Sequence, residues 1–163
     1  MINISFYNKR YNNDNIIDTM SRSFGVTKNE LNLVNNKTLV ISLIINKEKV
    51  GAICIISNND LYDYMIRLGK NIEEINGIYL FRATKGAYIY NMAVDKRYRG
   101  HGIAQKLLDI SLYVSKIKKF EYCYSHCENQ ISRHIFKKKG FNNEKHFKNS
   151  LNKEISLMSY WLK

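Results

Sequence analysis

The sequence predicts an α/β fold, of the α+β kind: one domain over residues 1–163, with a mixed sheet of six to seven strands and about four flanking helices. Three observations predict it. β-Branched runs at 39–46 (LVISLIIN) and 49–57 (KVGAICIIS) read as an antiparallel hairpin. A strand at 87–94 (AYIYNMAV), an apolar stripe at 103–117 and a second strand at 120–126 form one crossover between parallel strands. A chain of 163 residues is long enough to bury one sizeable core.

The elements follow in order. Residues 2–6 alternate apolar and polar, as a short strand does. Asp14 is placed to cap a helix running to about Phe24, with Ile16, Ile17 and Met20 inward and Gly25 as its stop. Residues 28–34 read as a second short helix. The hairpin turns at Lys47-Glu48, with Asn46 also available to it. Residues 59–76 look helical but loosely patterned, and GIYLFR (77–82) and the 87–94 strand flank Ala83-Thr84-Lys85-Gly86. The 103–117 stripe is broad, as a buried helix requires. Residues 129–139 read as a helix, and 141–147 and 155–162 as the closing strands.

Charge is uneven. The net charge is +12, with 11 Lys/Arg against 8 Asp/Glu over residues 1–94 and 15 against 6 over 95–163. The basic half suits an anionic partner, or is a solvated lysine-rich surface. No apolar run approaches the roughly 18 residues of a membrane span, which excludes a transmembrane protein. The first residues hold no apolar core of signal-peptide length, so a cytoplasmic protein is expected. Three cysteines cannot all pair with one another, which points to reduced thiols. Cys123 and Cys127 on one strand lie about 13 Å apart, too far to chelate one ion without a bulge, so no metal is expected.

The basic half opens on Arg97-Tyr98-Arg99-Gly100-His101-Gly102-Ile103-Ala104, between a strand and a helix. Two glycines spaced by one residue let the backbone turn sharply and let an anion approach. The unpaired amides of the helix's first turn then face that anion. Arg97 and Arg99 are placed to add charge-assisted contacts. The ending of a nucleotide P-loop is missing, and so are the third glycine and acidic residue of a dinucleotide fingerprint.

Arg97-x-x-Gly100-x-Gly102-x-Ala104, after a strand ending in Met92-Ala93-Val94, resembles motif A of the GNAT superfamily of N-acetyltransferases. Downstream, Asn129-x-x-Ser132-x-x-x-Phe136-x-x-x-Gly140-Phe141 resembles the segment that closes the coenzyme site in that superfamily. The resemblance covers nearly all of the chain and implies a GNAT-like domain that uses acetyl-CoA as cosubstrate, without metal. It implies parallel strands that splay apart, with the pantetheine arm paired to the backbone of Met92 and Val94. It places the pyrophosphate on the amides of Tyr98 to Ile103. Asn129 then reaches the pantetheine, and Ser132 and Phe136 line the thioester end. Lys116, Lys118, Lys119 and Lys137–Lys139 either meet the 3′-phosphate or are solvated last-turn lysines.

Acetyl transfer to an amine needs a proton acceptor, an oxyanion stabiliser and a proton donor for the departing thiolate. The superfamily commonly supplies a Tyr as acid where this chain has Phe136, which cannot donate. Tyr124, Tyr88 and His126 are the candidate catalytic residues, each with a packing role as the alternative. The Met92 amide is the candidate oxyanion donor. The implied acceptor is a primary amine, on a small molecule, a protein N-terminus or a lysine. Its nitrogen attacks the thioester directly in a ternary complex. Carboxylates in the first half, among them Asp60, Asp63, Glu73 and Glu74, mildly favour a cationic amine, with simple charge balance as the stronger alternative. The alternative to an enzyme is a non-catalytic acetyl-CoA-binding module. A membrane partner is not expected, no nucleic-acid-binding signature stands out, and a homodimer is left open.

Overall fold

The computed structural model describes residues 1–6, 37–79 and 85–162. The helices expected at 14–24 and 28–34, residues 80–82 of the GIYLFR run and Ala83-Thr84 lie outside the described residues. Among the described residues, seven strands form one sheet: β1 (Ile2–Phe6), β2 (Leu39–Ile45), β3 (Glu48–Ser57), β4 (Gly86–Val94), β5 (Tyr122–Cys127), β6 (Asn142–Lys148) and β7 (Glu154–Trp161). Their spatial order is β1-β2-β3-β4-β5-β7-β6. Only β4 and β5 run parallel, so the sheet is mixed, as the strand–helix–strand unit predicts. Among the described residues, four α-helices join it: α1 (Asn58–Arg67), α2 (Ile72–Ile78), α3 (Ile103–Ile117) and α4 (Gln130–Lys138).

Two expected boundaries move. The β2–β3 turn is Asn46-Lys47 and not Lys47-Glu48, because both residues take positive φ (48° and 67°) and Glu48 already pairs with Ile45. Such a two-residue turn matches the twist of the strands it joins. The helix expected over 59–76 is two helices. Gly69, at φ 76°, ends α1, with its N–H bonded to the Ile66 carbonyl and the Lys70 N–H bonded to that of Met65. The start of α1 is set by Ser57, whose hydroxyl accepts from the Asp60 N–H at 3.1 Å.

The main core lies between α3 and the sheet. Ile103, Leu107, Leu108 and Val114 pack on Ile41, Leu43, Ile53 and Ile89. Gly51 on β3 makes this approach close, since a Cβ there would stand 3.0 Å from both Ile103 and Leu107. The opposite face of β4 and β5 is aromatic. Tyr88 and Tyr90 stack with ring centroids 5.4 Å apart, beside Tyr79, Tyr122 and Tyr124. Alternation along the strands thus separates an aliphatic face from a tyrosine face.

Candidate functional site

The β4–β5 ladder is short. It joins Gly86, Ala87 and Tyr88 to Tyr122, Cys123 and Tyr124, and no pairing follows. On its other side β4 bulges: Cys54 of β3 faces Tyr90 and Ala52 faces Ala93, so Asn91 and Met92 stand against Ile53 alone. Asn91 takes φ 49°, a left-handed conformation that Asn tolerates better than most residues. Past the bulge Met92 and Val94 pack against the α3 core, and past Tyr88 the two parallel strands part as a wedge. A cleft of about 970 Å³ occupies it.

Of the candidate catalytic residues, the structure brings Tyr88 and His126 together on this cleft. The Tyr88 hydroxyl lies 3.0 Å from His126 Nδ1, and Tyr79 packs on both rings. Burial pushes the Tyr88 pKa well above the ordinary phenol value, with the neighbouring tyrosines and Glu128 adding to it, so the hydroxyl keeps its proton. Tyr124 is not part of this group. It is fully buried, its hydroxyl donates to Asn58 Oδ1 at 2.8 Å, and it does not line the cleft. Asn58 Nδ2 in turn donates to the Tyr122 hydroxyl at 2.8 Å. The network requires Gly86, where a Cβ would stand 2.5 Å from Asn58 Nδ2.

The glycine turn lies outside the cleft lining, at the entrance to α3. Gly100 and Gly102 take φ 82° and 75°, and a Cβ at either would meet nothing within 4 Å. Their need is conformational, and the space beside them is open. Gly102 is the N-cap of α3 and has no side chain to cap the amides of Ile103 and Ala104. Arg97 is committed elsewhere. Its guanidinium pairs with Glu48 at 3.0 Å and Asp95 at 3.1 Å, and its N–H donates to Asp95 at 2.9 Å. Tyr98 donates to the same Glu48, and Arg99 Nε donates to the Val94 carbonyl at 3.2 Å. His101 Nδ1 is 2.9 Å from the Arg99 carbonyl. The expected contact of Arg97 with an incoming anion therefore competes with two carboxylates.

The downstream motif has a structural account. Asn129 and Ser132 cap α4 reciprocally, Asn129 accepting from the Ser132 N–H at 2.8 Å. Gly140, at φ 89°, stops the helix, and the Phe141 N–H bonds back to the Phe136 carbonyl at 3.1 Å. The rings of Phe136 and Phe141 meet edge to face at 4.8 Å, the apolar contact that accompanies this stop. Asn129, Ser132 and Phe136 nonetheless line the cleft.

Two lining residues were missed by the sequence reading. Glu128 lies between β5 and α4 on the cleft, and its carboxylate acts on Tyr88. The buried Nδ2 of Asn91 has no hydrogen-bond partner among the described residues. An Asn inside an apolar strand was the available signal for the second. Cys54, Cys123 and Cys127 are buried free thiols, and burial pushes Cys123 up to about 12 and Cys127 to about 11. No helix among the described residues is long and apolar enough to cross a membrane.

A mixed sheet with one parallel pair that parts over a cleft, next to an uncapped glycine turn, defines a recognisable class of fold. The acetyltransferase (GNAT) family model matches residues 7–141, and the chain belongs to that family. No curated protein matches it in sequence. Among solved structures it is similar to a GNAT family acetyltransferase from Elizabethkingia anophelis with acetyl-CoA bound, at TM-score 0.69 and 14% identity over 99% of this chain and 98% of that one. Aminoglycoside 6'-acetyltransferase type Ii matches at 0.67 and 14%, over 99% and 97%. The ribosomal-protein-S18-alanine N-acetyltransferase from Escherichia coli matches at 0.66 and 13%, over 100% and 95%. At such identities the likeness is one of fold.

Proposed function

We propose that the chain is an acetyl-CoA-dependent N-acetyltransferase acting on a primary amine in a ternary complex. The observation that carries this reading is the parting of β4 and β5 just beyond Tyr88 and Tyr124, which sets the Tyr88–His126 pair on a cleft. Fold neighbours with acetyl-CoA or coenzyme A bound support the cosubstrate. The residues present suit it. The left-handed glycines border open space, and the first-turn amides of α3 would hold the pyrophosphate. The backbone of Met92 to Val94, on the edge of β4 that β5 leaves, would hold the pantetheine arm, with Asn129, Ser132 and Phe136 beside it.

When bound, acetyl-CoA supplies an acetyl thioester, from which the acceptor nitrogen takes the acetyl group while coenzyme A departs as the thiol. The chain's part is positioning and proton movement. With its ring proton on Nδ1, His126 donates to the Tyr88 oxygen, and Nε2 is the ring's acceptor for the proton that the amine gives up. Tyr88, kept protonated by burial, retains an O–H to donate toward the leaving sulfur. The Met92 amide serves as oxyanion donor.

Calorimetric titration of acetyl-CoA into the protein and into Gly100→Val and Gly102→Val, with free-thiol release over a panel of primary amines, tests this. The parent is expected to bind, the variants to bind at least tenfold more weakly, and thiol release to require an amine. Equal uptake by the variants overturns the glycine cradle, and thiol release independent of amine overturns the transfer. Phe136, without a hydroxyl on the cleft, favours the second reading, a non-catalytic acetyl-CoA-binding module. Tight binding with no turnover of any amine would select it.

A further inference from the structure

We infer that the acceptor is an amine with an aromatic body and an anionic group at its far end, a carboxylate held at the cleft mouth by Lys148 and Lys153. The inference rests on the acetyl-transfer reading and specifies its acceptor. The wall around the Tyr88–His126 pair is aromatic: Tyr79 lies 5.4 Å from the Tyr88 ring, Tyr90 stacks on it, and Phe147 meets His126 edge to face at 5.6 Å. Flat rings on several sides favour a flat apolar body over a hydrated sugar or a flexible polycation.

The charges at the opening are unequal. Among the described lining residues they are Lys70, Lys148, Lys153 and Glu128. Lys148 ends β6, and Lys153 lies just before β7, so one hairpin presents both, with Asn149 and Ser150 between them on the cleft. Among the described residues, neither Lys148 nor Lys153 has an ion-pair partner. Asp60 is spent on the α1 cap and on Lys37 at 2.8 Å, and neither Asp63 nor Glu73 lines the cleft. Among the described lining residues, three ammonium groups against one carboxylate repel a polycation and attract an anion.

Three acceptors of one shape and different charge test this: 4-(2-aminoethyl)benzoate, its carboxamide, and the matching benzylamine. The expected order of kcat/KM is benzoate, carboxamide, benzylamine, with about tenfold or more between the extremes at low salt and a narrower spread at high salt. Lys148→Glu/Lys153→Glu is expected to invert that order. Equal rates, or a preference for the cation in the parent protein, overturn the inference and leave acetyl transfer standing. Turnover of none of the three also overturns it, and thiol release over the wider panel of primary amines on the same sample then shows whether the transfer reading falls too. An order that the double variant leaves unchanged removes the two lysines from the assignment.

Discussion

Tyr88 and Tyr124 face each other across the last rung of the β4–β5 ladder, ring centroids 5.2 Å apart, yet their hydroxyls have different partners. Tyr124 gives its proton to Asn58, which also holds Tyr122, so three buried side chains satisfy one another and tie the first residue of α1 to β5. Tyr88 points its hydroxyl at His126, a titratable ring on the cleft. One tyrosine closes a structural network and the other stands on the cleft wall. What separates them is the partner that the tertiary fold places within 3 Å, since the two share residue type, strand context and a raised pKa.

Substitutions at these positions sharpen or break the contrast. The largest effect is expected at Asn58. Asn58→Ala strands two buried hydroxyls and should cost about 2–5 kcal/mol in urea unfolding. A loss below 1 kcal/mol would show that the network is not structural. Next, Tyr88→Phe should lower kcat about 100-fold while changing stability by about 1 kcal/mol or less, and Tyr124→Phe should do the reverse, costing stability with kcat within about twofold. Equal kinetic losses for the two tyrosines would erase the distinction. Asn91→Gly keeps the left-handed backbone and removes the unpartnered amide. It should raise KM or lower kcat about tenfold with little loss of stability, if a ligand satisfies that donor.

The last effect, confined to alkaline pH, concerns the thiols on the aliphatic face. Cys123 and Cys127 have folded pKa values raised to about 12 and about 11 against 9.0 for an ordinary thiol. The unfolded chain therefore loses these protons first. The stabilisation is complete below about pH 9 and declines as pH rises through the folded values. Each thiol should contribute a decline of about 1 kcal/mol per pH unit there. Cys123→Ala should start less stable and lose less per unit between pH 9 and 11, as urea melts at stepped pH would show.

Several site residues were legible because their roles are local. Gly100 and Gly102 before an apolar helical stripe announce a turn that only glycine adopts cheaply. Asn129, Ser132, Gly140 and Phe141 announce the two ends of a helix whatever the helix is for. The division of 59–76 by Gly69 was within reach of the same logic. The partner of Arg97 was not, because Glu48 lies 49 residues away and meets it only when β3 lies beside β4. Glu128 and the lysines of the β6–β7 hairpin were likewise invisible as a group, being brought to one opening by different elements.

Periodicity and turn chemistry, properties of neighbouring residues, determined by themselves the β2–β3 hairpin, the β4–α3–β5 unit, where the glycine turn falls and which family's motifs the chain carries. Only the tertiary structure decided that the tyrosine face divides into a sealed network and an open pair, that the parallel strands part beyond Tyr88, and that lysines outnumber carboxylates among the described residues of the cleft mouth. Each of these depends on distances between residues far apart in the chain, which packing sets and local pattern does not encode.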